Sequence, residues 1–174
     1  MAIRRQNCYH LFMPHIHEKI DFAVGAFIVH ENKVLLVHHI KLGIWAPVGG
    51  HVELDEDTDE ALFREIEEEC GIKKSELTVL AARPKITDQR TRFLYAPNYV
   101  DIHTFNETHR HIGLGYFLSS TTDAIRLSDK EHYAIKWFSA EEVEDPLYEI
   151  TPVMKFYAHE AIKTAKNKDK IRKI

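Results

Sequence analysis

Hydrophobic positions first gather in the run Ile20-Asp-Phe-Ala-Val-Gly-Ala-Phe-Ile-Val-His30, which is apolar on both alternating faces. A strand covered on both sides of a sheet reads this way, whereas a half-exposed strand alternates. The polar pair Glu31-Asn32 separates it from a second aliphatic run, Lys33 to Ile40. Two such runs across a short Asn-containing turn predict an antiparallel hairpin. From 41 to 56 the pattern lapses: KLGIWAPVGGHVELDE carries Pro47 and Gly49-Gly50 and is expected to be a loop. Asp57 to Cys70 has helical periodicity, with Asp57 placed as N-cap, Glu60 completing a capping box and Gly71 where a C-cap glycine belongs. Strand-like stretches follow at Leu77–Ile86, Tyr99–Thr104, His111–Leu118 and Tyr133–Phe138, with 87–98 expected as a loop. Ser139-Ala-Glu-Glu predicts a short capped helix and Thr151 to about Ala165 a longer one. The basic stretch Lys166 to Ile174 is expected to be a flexible tail. Strands interleaved with helices predict a mixed sheet with helices packed on it, in the α/β or α+β class.

Composition narrows the class without naming a function. The 174 residues suit one domain, 1–174, with 1–19 as an N-terminal extension. Lys and Arg number 23 against 27 Asp and Glu, a net charge of −4, so no basic field advertises a nucleic-acid or anionic-membrane partner. No apolar run approaches the roughly 20 residues of a membrane helix, and Met1 to Asn7 has no apolar stretch behind it of signal-peptide length. Cys8 and Cys70 make no disulfide framework and are read as reduced thiols. The expected setting is cytoplasmic.

The chemistry gathers in the acidic stretch from Glu53 to Glu69. An acidic run is usually a solvated face, but here the helical phase matters. Glu65, Glu68 and Glu69 stand at i, i+3 and i+4 and share one stripe, beside an arc of Leu62, Phe63, Ile66 and Cys70 assigned to the core. Two carboxylates about 6 Å apart repel by roughly 3 kcal/mol at an effective dielectric near 20. Only Arg64 lies near them as a counter-charge. A divalent cation would be the missing partner, and oxygen ligands without thiolate or imidazole suit Mg²⁺ or Mn²⁺ better than zinc. Gly49-Gly50, just before the helix, lets backbone approach a ligand closely.

Gly50, five residues, Glu56, seven residues, then Arg64-Glu65-Ile66-Glu67-Glu68-Glu69-Cys70-Gly71-Ile72 resembles the Nudix box at every constrained position. The preceding Trp45-Ala-Pro-Val-Gly-Gly also resembles that family's approach to the box, and the strand pattern extends the likeness in outline from Phe22 to Phe138. The resemblance implies an α/β/α sandwich with a mixed β-sheet, and a hydrolase that cuts the pyrophosphate linkage of a nucleoside diphosphate derivative: a nucleotide, a nucleotide sugar or an ADP-ribose-like compound. It implies Glu65, Glu68 and Glu69 as ligands of Mg²⁺, for which Mn²⁺ can substitute, with the Gly50 carbonyl as a further ligand. It implies Glu56 and Arg64 as supporting catalytic residues. Asp55, Asp57 and Thr58 depart from common family choices but touch no ligand position. Many members of the family dimerise, so a homodimer is compatible with the likeness. The alternative is a non-catalytic nucleotide-sensing domain on the same fold, although such domains often lose box carboxylates and this chain keeps them.

Twelve histidines are many for this length. His103 stands two residues after Asp101, and His109 and His111 have i, i+2 spacing, which puts each pair on one face of a strand. Satisfied structural histidines, substrate binding and a zinc site are the three readings of that cluster. His51, after the glycine pair, is a candidate phosphate contact, as is His111. Arg90 and Arg92 are candidate substrate contacts in the loop that would form a pocket rim, since guanidinium suits phosphate. Glu68 and Glu69 are candidates for the general base, and Asp101, Glu107 and His111 are loose candidates outside the box. No signature outside the box names the substrate.

Overall fold

The computed structural model describes residues 19–86, 88–128 and 132–171, with side chains as far as Lys168. The elements run β1 (Ile20–His30), β2 (Lys33–His39), β3 (Ile44–Ala46), β4 (Val48–His51), α1 (Thr58–Cys70), β5 (Leu77–Val79), β6 (Tyr99–Asn106), β7 (His109–Ser120), β8 (His132–Phe138), α2 (Ala140–Glu144) and α3 (Pro152–Ile171). They form a mixed eight-stranded sheet between helices, the α/β/α arrangement expected. Glu31 and Asn32 both take positive φ (45° and 65°), as the tight turn of a two-residue hairpin requires.

At the centre β1 and β7 run parallel, in register from Ile20↔Arg110 to Val29↔Ser119. The other edge of β1 is shared: β2 takes its C-terminal end at Val29↔Val34, and β4 takes Ala23↔His51 through Ala26↔Val48. The far edge of β7 is shared in the same way by β5 and β6. β8 and β3 extend the sheet beyond β2.

Strand alternation divides the core in two. Val24, Ala26 and Ile28 of β1 pack with Leu62 and Ile66 of α1 on one face. Phe27 and Val29 pack with Tyr157, Ala158 and Ala161 of α3 on the other, where Phe27 and Tyr157 stack at 4.7 Å. A strand covered on both faces needs apolar residues at successive positions, which is why β1 does not alternate.

The loop expected over 41–56 in fact holds β3 and β4. The Leu77–Ile86 strand shrinks to Leu77–Val79, and β6 and β7 meet in a hairpin that pairs Asn106 with His109. α3 continues to Ile171, past the point where a flexible tail was expected; residues 172–174 and the N-terminal 1–18, with Cys8, His15 and His17, lie outside the described residues. No helix among the described residues is long and apolar enough to cross a membrane.

Candidate active site

α1 starts where the sequence places it. The Asp57 carboxylate accepts from the backbone N–H of Asp59 (2.9 Å) and Glu60 (3.1 Å), and Glu60 closes the box by accepting from Asp57 N–H (2.9 Å). Gly71 ends the helix in the left-handed region at φ 74°. Leu62, Ile66 and Cys70 are fully buried against the sheet, and this fixes the azimuth of the remaining positions.

Arg64 becomes the hub of the box. Its Nε donates to Glu56 Oε2 (3.0 Å) and its Nη2 to Glu56 Oε1 (2.5 Å), a two-pronged clamp. Nη1 donates to Glu65 Oε1 (2.8 Å) and, more weakly, to Glu68 Oε2 (3.3 Å), while Nη2 also reaches the His51 carbonyl (3.0 Å). The guanidinium therefore ties helix, preceding loop and β4 together. Its bond to Glu56 holds that carboxyl below the usual range and raises Arg64 in turn.

The three stripe carboxylates differ in surroundings. Glu68 is open, its side chain 62% exposed. Glu65 is tucked against Gly50, so closely that a Cβ on that glycine would stand 2.3 Å from Oε1. Burial pushes its carboxyl up to about 7 against the pull of Arg64, and the charges of Glu69 and Glu68 add to the rise. Glu69 is buried: Oε2 accepts from Gly49 N–H (2.9 Å), and Oε1 lies 2.7 Å from His132 Nε2. His132 is a site residue that spacing could not reveal, because it stands 63 residues away and arrives by β8.

The ladder also says which glycine carbonyl is available. Val52 N–H bonds Phe22 carbonyl (2.9 Å), so alternation makes Gly50 and Val24 a hydrogen-bonded pair whose backbone groups face each other. The groups of Gly49 then point away from β1, as its bond to Glu69 requires. The Gly50 carbonyl, expected as a metal ligand, is directed into the sheet, and Gly49 offers the better-placed oxygen.

The four expected substrate contacts separate into two places. Arg92 lies over the start of α1, paired with Asp57 and Asp59, and Arg90 shares its exposed loop. His51 and His111 meet each other instead, Nε2 to Nε2 at 3.2 Å. They do so on the α3 side of the sheet: Val48 and Gly50 face α1, so His51 faces the opposite way, and His111 shares the face of Phe117. Asp101 is also on that side, bonded to Tyr157 Oη (2.5 Å) and His103 Nδ1 (2.8 Å).

The carboxylate group passes a simple test for a hard divalent cation. Its donors are all oxygen, with one guanidinium as the principal cationic partner, and Glu68 faces solvent beside Glu65. A cation placed there would offset the repulsion within the stripe.

Comparison with known proteins identifies the family. The family model of the NUDIX domain matches residues 19–158. The CTP pyrophosphohydrolase of Escherichia coli (strain K12) is 33% identical over 100 residues, covering 55% of this chain and 74% of that protein. The asymmetrical bis(5'-nucleosyl)-tetraphosphatase of Mus musculus is 30% identical over 135 residues, covering 76% of each. Among solved structures, a NUDIX-family hydrolase from Clostridium perfringens superposes with a TM-score of 0.70 at 28% identity, over 82% of this chain and 96% of that one.

Proposed function

The chain belongs to the NUDIX-domain family of pyrophosphohydrolases, and on that premise we propose that it cleaves the pyrophosphate link of a nucleoside diphosphate derivative with Mg²⁺ bound at α1. The observation that carries the reading is one stripe of three carboxylates, with Glu65 and Glu68 held by an arginine that Glu56 clamps and Glu69 held by Gly49 and His132. Glu65, Glu68 and Glu69, with the Gly49 carbonyl in place of Gly50, would hold the metal. Bound Mg²⁺ supplies neutralisation of phosphate oxygens and a more acidic water, and Mn²⁺ can substitute.

The chain's own residues supply position. The Glu56–Arg64 clamp fixes the start of the stripe, and the bonds of Glu69 to Gly49 and His132 fix its end. Arg64 leaves Glu68 the freest to change partner, since their bond is the longest of the set. The two named relatives act on CTP and on a dinucleoside tetraphosphate, so nucleoside triphosphates and dinucleoside polyphosphates are the first substrates to try. Arg92, which borders the helix start, and Arg90 in the same exposed loop are the proposed phosphate contacts; the substrates are small, and a cytoplasmic setting suits them.

Phosphate release from such a panel, with Mg²⁺ and with or without added phosphatase, tests the proposal. Glu68→Gln is expected to lower turnover by more than about a hundredfold with the fold intact. Near wild-type turnover in that variant overturns the metal assignment. Nucleotide-dependent rises in melting temperature without product would instead mark a binding domain.

A further inference from the structure

Three side chains outside the box and His51, at a variable position within it, converge on the α3 side of the sheet. His109 and His111 come from β7, His51 from the end of β4 and Asp21 from the start of β1, where Asp21 pairs in register with His111 and Ala23 with His51. Asp21, His109 and His111 are all buried (1%, 4% and 6% exposed), and His51 is nearly so. One nitrogen from each of the three histidines lies within 4.8 Å of the other two. We propose that His51, His109, His111 and Asp21 form a zinc site, separate from the carboxylate site and across the sheet from it.

Part of this set already has tetrahedral spacing: the three imidazoles group together, and Asp21 reaches two of them. Ligands about 2.0–2.1 Å from zinc stand roughly 3.3 Å apart along each edge. His51 Nε2 and His111 Nε2 are 3.2 Å apart, His109 Nε2 and Asp21 Oδ2 3.1 Å, and His51 Nε2 and Asp21 Oδ2 3.9 Å. The donor set is imidazole-rich, which suits zinc and not Mg²⁺. Three imidazoles crowded about one carboxylate in a buried place also form an expensive cluster for stability alone, when apolar residues of similar size would fill the volume.

With the Asp21 carboxylate turned in as the fourth ligand the site is closed, hence a structural one. It would tie together the start of β1, the end of β4 and the start of β7. The His51 carbonyl already accepts from Arg64, and Gly50 backs Glu65, so a metal on His51 would anchor from behind the strand that supports the box. Around the cluster, the Phe105 ring stacks on His111 at 4.9 Å, and the His103 ring meets it edge-on at 5.3 Å. These rings restrict its orientation, as the outer partners of a ligating histidine commonly do.

The test uses the full chain without a histidine tag, stripped with chelator and titrated with Zn²⁺ or Co²⁺. One equivalent of zinc, retained through desalting, and a visible Co²⁺ spectrum of tetrahedral intensity are expected. His109→Gln and the less buried His51→Gln should each weaken zinc binding at least tenfold. Glu68→Gln should leave it unchanged, and circular dichroism of each metal-free variant establishes folding independently. Zinc that survives both histidine changes but is lost in Glu68→Gln belongs to the carboxylate site and overturns the proposal. Failure of the wild-type chain to bind either metal below millimolar concentration, or a six-coordinate Co²⁺ spectrum, does so too. Because the readout is metal content and spectrum rather than hydrolysis, failure here leaves the proposed hydrolase activity untouched, and absent hydrolysis leaves this site untouched.

Discussion

A methyl group on Gly50 would meet the tip of the Glu65 side chain, not backbone. The carboxylate can swing aside, so Gly50→Ala is expected to fold with nearly wild-type stability. What it loses is placement, and displacement of a reacting arrangement by about 1 Å commonly costs on the order of a hundredfold in rate. Steady-state kinetics beside a urea titration separate the two effects: a large loss of stability with unchanged turnover would contradict the arrangement. At this scale the sequence was informative where chemistry is local. Glu65, Glu68 and Glu69 share a stripe because helix geometry dictates it, and Glu56 finds Arg64 across only eight residues. His132 was illegible, since its contact with Glu69 depends on the order of strands in the sheet. The direction of the Gly50 carbonyl was equally hidden, for it follows from the phase of the β1–β4 ladder.

Among the elements, α1 carries the site, and its start is held in two ways. Asp57 accepts two backbone N–H groups and also pairs with Arg92. Asp57→Ala removes both and is expected to cost about 1–2 kcal/mol in urea unfolding. Asp57→Asn keeps a capping oxygen and loses the charge, so its cost should be only a few tenths of a kcal/mol. Equal losses in the two variants would transfer the credit from the cap to the Arg92 bridge. The capping box and the left-handed Gly71 were readable because both are written in consecutive residues. β3 and β4 were not, as three and four residues are too few to show a period and Pro47 and Gly49-Gly50 imitate a loop. Those two glycines serve a strand because they allow α1 to approach it: Gly49 N–H reaches Glu69, and Gly50 gives room to Glu65. The same residues that hide the strand make the site.

Across the whole molecule the sheet separates two charged groups whose proton linkage has opposite sign. On the α1 side, burial raises Glu65 to about 7 from an ordinary 4.5. Native protein then holds a proton that the unfolded chain has released between those values, so stability falls as pH rises through that window. On the α3 side, burial and the neighbouring His51, His103 and His109 depress His111 to about 4 from 6.5, with Asp21 opposing. Here the unfolded chain takes the proton first, and stability falls as pH drops from 6.5 towards 4. In the wild type the two trends oppose each other, so a single pH curve conceals both. Unfolding midpoints measured in EDTA, for wild type against His111→Asn and against Glu65→Gln, resolve them. Relative to His111→Asn, the wild type should gain stability from pH 4 to 6.5 and then level off. Relative to Glu65→Gln, it should lose stability from pH 4.5 to 7, because a buried carboxylate without metal is being forced to ionise. Parallel curves for wild type and both variants would mean that neither side chain is buried as described. Mg²⁺ in place of EDTA should abolish the second trend, since a cation bound to Glu65 favours its ionised form, and should leave the first as it was.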